Sequence, residues 1–539
     1  MPVTLTEEHR RAAARRRRIV VNFDVTFAIN VHHRKNNGAV DLPRLIDHLF
    51  EFADAAGSQI DAVWWNWGEG NQAPYPSGRL PLYDHPLYRG WAEEGTDIVG
   101  ILLEETRRRG LEVFFSHRMN GSDNDLGPFA VIPAKAAHPE WTFRTPWCTH
   151  EHNRYWDFSH PEVREYVLEN LREVAGRWPF DGFELDFARG VCFPGGTAWL
   201  RRDCMTGFVR SLREMLLQIG EARGRPMLLA ARVPENLAGC RFDGLDVETW
   251  AREELVDLLV PGVRSLDIDL VDFRRICGGT QIRLYPSIDD HHASDGYQNP
   301  GIELFRGLAA TWRRDGADGL HTFNFNFGAD APYAGQDWRS HLQAYRELGS
   351  ADTIRGRDKL FAVQRRGGGH GPTVIPNPED WYTPRYWYAN TNMLAPLPAG
   401  LDSSGRTDTL LTLRVGDDVE AEAEAASLSL RLLLSDPDAA KLPESERLPS
   451  VEIAAIGHSG GLMNEPPAAG IAERIEVRVN NCLLGRGEAV GGWLVFAVEP
   501  LAVAAGENLA GVRLVGGREA AEPVRIEKLE LLVRYSGQG

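Results

Sequence analysis

Cysteine is scarce and scattered in this chain. Its six cysteines, Cys148, Cys192, Cys204, Cys240, Cys277 and Cys482, show no C-x-x-C spacing. That excludes a zinc knuckle or a disulfide framework and fits reduced thiols. No apolar run approaches the roughly 20 residues of a membrane-spanning helix. A positive excess is missing too. The net charge is -17, which argues against nucleic acid and anionic membrane as partners and favours a neutral or cationic ligand. The one basic run, Arg10 to Arg18, leads straight into a strand-like segment and reads as a solvated N-terminal arm. No apolar h-region follows it, so a cytoplasmic location is expected, or a secreted or periplasmic one if a leader has been removed. Metal-ligand spacings are also absent. His32 with His33, His150 to His152 and Asp289 to His292 supply ligand types, but none forms H-x-H on strand one or H-E-x-x-H. Adjacent histidines on a strand would face opposite sides. Neither a metal nor a cofactor is expected.

What is present is ample core material. The 539 residues are 43% hydrophobic and 25% charged, enough for two or three globular domains. From residue 17 to 350 apolar runs alternate with amphipathic helical stretches. The strand candidates are "RIVVNFDV", "IDAVWWNWGEG", "LEVFFSHRMN", "FDGFELDFAR", "MLLAARVPEN", "LVDLLVPGV", "QIRLYPSID" and "DGLHTFNFNF". Eight such units predict a (β/α)8 TIM barrel. A doubly wound open sheet would want a Gly-rich loop after its first strand, and "FDVTFAINVHH" has none. Past residue 358 the helical period disappears, and short strands separated by Gly, Pro, Asn and Asp predict an all-β sandwich, jelly-roll-like. The expected organisation is an arm at 1–16, the barrel at 17–350, a Gly/Pro-rich linker at 351–380 and the sandwich at 381–539. "DWYTPRYWY", Asp380 to Tyr388, reads as a docking seam between the domains before it reads as a sugar platform.

"DGFELDFAR", Asp181 to Arg189, carries three carboxylates and an arginine on a strand. Period two puts Phe183, Leu185 and Phe187 on one face and Gly182, Glu184 and Asp186 on the other. In a closed barrel the second face points inward, where charge needs partners. Barrel chemistry sits at the C-terminal strand ends, and polar residues gather there. Strand two ends in Trp67 and Glu69, strand three in His117, Arg118 and Asn120, and strand four in Glu184, Asp186 and Arg189. Strand five ends in Arg232 and Glu235, strand seven in Tyr285, Asp289 and His291, and strand eight carries His321 and Asn324. Trp64, Trp65, Trp67, Trp141, Trp147, Tyr155 and Trp156 thicken the same region. Aromatic plates beside Asp, Glu, Asn, Arg and His suit a sugar, with its apolar C–H faces and many hydroxyls. Trp65 is the expected core member, since alternation sets it opposite Trp64 and Asn66.

Two segments carry a resemblance. "YWDFSHPEVREYVLENLREVAGRWPFDGFELDFAR" and "ELVDLLVPGV" resemble elements of the glycosyl-hydrolase-like family 10 group of TIM-barrel proteins. "DGFELD" is similar to the strand-four "DGFRLD" of the α-amylase superfamily, whose last Asp is the nucleophile. That likeness implies Asp186 as its counterpart, with Glu184 in place of the pattern's Arg. It also implies an acid after strand five, where Glu235 stands. "GENLAGVRL" resembles a strand of sandwich domains appended to many glycosidases.

The resemblance implies a glycoside hydrolase cleaving O-glycosidic bonds of a poly- or oligosaccharide with paired carboxyl groups. Asp186, Glu235 and Glu184 are the catalytic candidates, with Glu69 and Asp289 next in line as the second acid. Trp67, Glu69, His117, Arg118, Asn120, Arg189, Arg232, Tyr285, Asp289, His291 and Asn324 are the substrate-binding candidates. Two other readings stay open: a carbohydrate-binding barrel without catalysis, and a metal-dependent hydrolase or lyase. The expected partner is a carbohydrate, and homo-oligomerisation is left open. Because ligand spacings are poor, turnover should survive exhaustive dialysis against a chelator. Complete loss, restored by one divalent ion, would bring the metal-dependent reading to the front.

Overall fold

The computed structural model describes residues 3–35, 38, 40–121, 131–144, 154–188, 190–263, 265–289, 296–297, 300–323, 325, 338–365, 395–421, 426–455, 461–519 and 522–536. Eight parallel strands form its first part: β1 (Ile19–Asp24), β2 (Ile60–Asn66), β3 (Glu112–Arg118), β4 (Gly182–Asp186), β5 (Leu228–Val233), β6 (Leu258–Pro261), β7 in two short pieces (Arg283–Leu284 and Ser287–Ile288) and β8 (Leu320–Phe323). Each strand pairs with the next in parallel, and β8 pairs back onto β1. The ring closes through β7. Its first piece pairs with β6 and its second with β8. Between the pieces, the Tyr285 N–H donates to the Leu259 carbonyl at 2.9 Å, and the Pro286 carbonyl accepts the His321 N–H at 2.9 Å. A helix or helical segment follows each strand, from Leu42–Asp54 after β1 to Trp338–Glu347 after β8. The fold is the TIM barrel expected from the strand–helix alternation, with an antiparallel β domain after it.

Period two sorts the strand residues into two cores. Val20, Ala62, Trp64, Phe114, Leu228, Ala230, Leu258, Val260 and Tyr285 fill the barrel interior. Val21, Phe23, Val63, Trp65, Phe115, Phe183, Leu185, Leu229 and Ala231 join the outer core under the helices. Both tryptophans of the pair are therefore buried, Trp65 outside and Trp64 inside, stacked on Phe114 at 4.8 Å. Gly182 makes this stack possible. A Cβ there would meet Phe114 Cζ at 2.5 Å and the Leu228 carbonyl at 2.7 Å.

The barrel floor corrects the expected solvated arm. A helix, Glu7–Ala13, capped by Thr6, lies under the strands, and its His9 is buried against Asp257 at 2.9 Å. Arg11, Arg15 and Arg16 are exposed, but Arg17 is fully buried. Its guanidinium donates to both oxygens of Glu112, at 2.5 and 2.7 Å, and to the carbonyls of Ala12, Ala13 and Arg15. The charge is affordable there because almost every donor has an acceptor. Tyr285 belongs to this floor as well. It sits beside Arg17, which opposes the upward push that burial gives its phenol pKa.

In the β domain two antiparallel sheets share one apolar core. The larger holds Lys359–Val363, Arg525–Tyr535, Ala426–Ser435, Trp493–Val498 and Glu488–Val490; the smaller holds Thr409–Val415, Gly506–Leu514, Ile475–Val479 and Cys482–Leu483. Alternation puts Leu411, Leu413 and Val415 inward from one sheet and Leu428, Leu430 and Leu432 from the other. The stretch expected as a linker therefore supplies a strand. Lys359–Val363 pairs antiparallel with Arg525–Tyr535 because its alternating Phe361 and Val363 complete the apolar face. Before it, Ala351–Ile354 of the same stretch is a helical turn; residues 366–380, and Asp380 to Tyr388, lie outside the described residues. Among the described residues no helix is long and apolar enough to cross a membrane.

Arg17→Ala would strand Glu112 as an unpaired buried carboxylate. Chemical denaturation should show a loss of about 3–5 kcal/mol. A change below about 1 kcal/mol, the scale of an exposed pair, would show that the floor pair does not hold the barrel.

Candidate functional site

The polar residues of the barrel mouth sit in two tiers. In the lower tier Glu184 of β4 is fully buried. Asn22 of β1 donates its amide to Glu184 Oε2 and also to Ser116 Oγ of β3 at 3.0 Å. Asn66 of β2 donates to the same Ser116 oxygen at 3.3 Å. On the far side, His321 Nε2 of β8 stands 3.5 Å from Glu184 Oε1, and His321 Nδ1 is 2.9 Å from Ser287 Oγ of β7. Five strands therefore converge on one carboxylate. Burial lowers the His321 pKa, while Glu184 pulls it back up. Glu184 Oε1 and His321 Nε2 are both buried without a hydrogen bond.

The upper tier is built on two arginines. Arg232 of β5 is fully buried and donates to the carbonyls of Gly262 at 3.0 Å and Val263 at 2.7 Å. Its Nη1 lies 3.6 Å from Asp186 Oδ2 and its Nη2 lies 3.8 Å from Asp289 Oδ2. Asp186 is held by the Ala188 N–H, which donates to Oδ1 at 2.8 Å, while Oδ2 is buried without a hydrogen bond. Arg118 of β3 bridges Glu69 at 2.9 Å and Asp24 at 2.7 Å. The Phe323 ring lies 3.9 Å from the Arg232 guanidinium carbon and 5.7 Å from that of Arg118. Such cation–π contact partly replaces the hydration that the guanidinium groups lose.

Of the residues picked out by sequence, Glu184, Asp186, Arg232, Asp289, Glu69 and Arg118 belong to these two tiers. Others have different work. Asn120 is spent on the backbone: its amide donates to the Trp156 and Val191 carbonyls and its oxygen accepts the Trp156 N–H. It stitches loops together, and both amide hydrogens are spent on those carbonyls. Glu235 Oε1 accepts the N–H groups of Val263 at 2.9 Å and Ser265 at 3.3 Å, so this carboxylate shapes the loop after β6. Trp67 joins the outer core. Tyr285 sits at the floor, because it lies early in β7 and not at its end. His117 continues the outward series of Phe115 and packs under the loop after β2. There Gly70, with φ +77°, comes so close that a Cβ would meet the Arg118 carbonyl at 2.7 Å. Arg189, His291 and Asn324 lie outside the described residues. So do His150 to His152 and His292. His32 and His33 are on a helix, Val25–Lys35, not on a strand, and their rings meet His48 and His85 respectively. Among the described residues no group of three or more His, Cys, Asp or Glu is arranged to hold a metal.

Asn22, Asp24, Ser116, Ser287 and Phe323 were missed from sequence. For Asn22 and Asp24 a signal existed: with Val20 they form the inward series of β1.

The class of architecture is thus a TIM barrel with a buried, carboxylate-rich mouth and an appended β domain. No family model and no curated protein matches the chain. Among solved structures, it is similar to the glycoside hydrolase domain of PgaB (BpsB) from Bordetella bronchiseptica, at 14% identity and TM-score 0.42, over 62% of this chain and 99% of that one. It is similar to an α-amylase from Geobacillus thermoleovorans, at 10% identity and TM-score 0.37, over 93% of this chain and 98% of that one. A GH36 α-galactosidase, AgaB from Geobacillus stearothermophilus, matches at 12% identity and TM-score 0.35, over 96% of this chain and 56% of that one. At these TM-scores the likeness carries no argument about the reaction.

His117 generates a pH dependence. Burial drags its imidazole from 6.5 to about 4, against the attraction of Asp186. The unfolded chain takes up this proton first, so stability present above pH 6.5 is lost as pH falls through 4. The loss should be on the order of 3 kcal/mol. His117→Gln should flatten the stability curve over that window. An unchanged slope would mean that His117 is not buried in its neutral form.

Proposed function

We propose that the chain is a glycoside hydrolase acting on a poly- or oligosaccharide. The observation that carries the reading is the Asp186–Arg232–Asp289 arrangement. Both carboxylates lean on one buried guanidinium, which keeps them within about 10 Å of each other, the range over which catalytic carboxyl pairs act on a glycosidic bond. Asp186 has a fixed orientation, set by the Ala188 N–H, and one oxygen without a hydrogen bond. That suits a group that attacks the anomeric carbon or takes a proton from water. Asp289, at the end of β7 two strands beyond Arg232, is the partner acid that this contact favours. Glu235, the first candidate from sequence, has an oxygen engaged by two backbone amides.

In this mechanism Asp186 acts as nucleophile or base, and Asp289 delivers a proton to the leaving oxygen. Arg232, 3.6 Å away, helps to hold Asp186 in place. Arg118, Glu69 and Asp24 form a second polar edge able to bind hydroxyls. The lower tier around Glu184 supports Asp186 from two residues below it on the same strand face, roughly 7 Å along the strand.

Asp186→Asn keeps shape and hydrogen-bonding capacity but removes the charge. Its kcat should fall at least about a hundredfold on the glycan that the wild type cleaves, with sugar binding largely kept. Glu184→Gln should cost stability more than turnover. Near-normal kcat in Asp186→Asn would end the assignment. Glycan binding by a wild type that turns nothing over would favour the non-catalytic carbohydrate-binding barrel.

A further inference from the structure

The barrel helix Ile302–Arg314 carries the β domain on its outer side. Phe305 and Ala309 turn into the outer core of the barrel. Leu304, Leu308 and Thr311, with Asp315 just past the helix end, recur at the spacing of one helical face. That face looks toward the β domain. Two glycines bring the surfaces together. A Cβ at Gly307 would collide with the Leu360 carbonyl, and one at Gly416 with the Ala310–Thr311 peptide. Beside these contacts the surfaces part and leave a cavity of about 300 Å³.

The middle of this cleft is apolar. Leu304 and Leu308 line it from the helix, and Leu360 and Ala362 from the strand whose Phe361 and Val363 complete the β-domain core. Its ends are polar. Asp267 and Asp269 stand at one, on the loop after β6, where the helix begins. Asp315, Arg414 and Glu507 stand at the other, about 16 Å away along the helix. Arg414 donates to Asp315 at 3.3 Å and to Glu507 at 3.4 Å. Both bonds are long, and a guanidinium has further N–H donors to offer a ligand. The β-domain surface continues the cleft outward. Thr412 lies on its edge, directly opposite Leu509 in the strand register. Leu509 is 47% exposed, and Leu410, two residues before Thr412, is 58% exposed. Both face out because Leu411 and Leu413 take the inward positions of that strand and Ala510 and Val512 those of its neighbour.

Apolar walls with hydrogen-bonding groups at both ends suit a small molecule that shows C–H faces and hydroxyls together. The volume stands at the lower end of small-ligand sites, room for a mono- or disaccharide. A phosphate-bearing ligand would meet the carboxylates of Asp267, Asp269, Asp315 and Glu507 against the one guanidinium of Arg414. We infer that the cleft is a second sugar-binding site, outside the barrel wall and separate from the mouth, that takes a neutral mono- or disaccharide. The choice of a sugar rests on the reading of the chain as a glycoside hydrolase.

The test is calorimetric titration of the full chain with glucose, galactose, N-acetylglucosamine, maltose and cellobiose, and with spermidine as a cationic probe. Asp186→Asn is the parent, so that no sugar is consumed. Into it go Thr412→Trp, Leu509→Ser and, as control, Leu501→Ser at a site of the same domain that is 75% exposed. Thr412 is exposed on a strand, where a large aromatic is well tolerated, and the indole should fill the cleft. The parent should bind one of the sugars at two sites. Thr412→Trp should weaken one of them by about tenfold or more. Leu509→Ser should weaken the same site by a smaller factor, and the control should match the parent. Leu509→Ser changes only the exposed lip, so it reads the site even where the bulky variant fails to fold. Identical titrations in all four proteins would overturn the second site and leave glycoside hydrolysis untouched. Binding of none of the sugars, or of spermidine alone, would overturn the assignment of a sugar. Sugar binding that depends on Thr412, in a chain that with Asp186 intact turns over no glycan, would keep the second site and overturn the glycosidase reading.

Discussion

The Arg232 guanidinium is the interaction on which the mouth of the barrel depends. It is fully buried, and its contacts reach β4 through Asp186, the turn after β6 through two carbonyls, and β7 through Asp289. A buried arginine without acceptors would cost several kcal/mol, and a buried carboxylate without a cation would cost as much again. Each makes the others tolerable. The planar fork of arginine suits this place because it serves carbonyls and carboxylates at once while its flat face rests on Phe323. Lysine could offer the charge but not the fork.

Below that centre the barrel accepts groups that a fold selected for stability alone would avoid. Asp186 Oδ2, Glu184 Oε1, His321 Nε2 and Arg232 Nη1 are all buried without hydrogen bonds. Buried polar atoms are nearly always paired, so a cluster of exceptions on one axis asks for a functional cause. The floor shows the contrast. Arg17 and Glu112 satisfy each other there, and Asp257 is shared by Arg213, His9 and the Leu229 N–H. Its carboxyl pKa is pushed well below the usual range by Arg213 and His9, against the opposing pull of burial. The floor carboxylates thus have both oxygens hydrogen-bonded, whereas Asp186 and Glu184 at the mouth each keep one buried oxygen without a hydrogen bond.

The two domains also meet through specific contacts. The β-domain strand Arg525–Tyr535 touches Gly296 and Tyr297, which follow β7 in the chain, through buried polar contacts. The first strand of the same sheet comes directly after the barrel's last helices and packs on its partner through Phe361 and Val363. The domains are therefore joined by the strand that follows the barrel's last helices and by buried polar contacts at Gly296 and Tyr297.

Much of this was legible in the sequence because period two is a local property. Phe183, Leu185 and Phe187 against Gly182, Glu184 and Asp186 state which face is which, and eight such runs alternating with helices leave few architectures besides a barrel. The strand-end rule brought out Asp186, Arg232, Asp289, Arg118 and Glu69. What local pattern could not decide was decided by contacts between residues far apart in the chain. Glu235 and Asn120 look like binding groups until the backbone amides and carbonyls that occupy them are in place, and those belong to other loops. Tyr285 looks like a strand-end residue until the pairing of β7 shows that it lies near the strand's start, beside Arg17. Arg17 itself reads as solvated arm until Glu112, 95 residues away, closes on it. Alternation assigns a face. Only the closed ring decides height along the barrel axis and the partner each charge meets, because those depend on the register of eight strands at once.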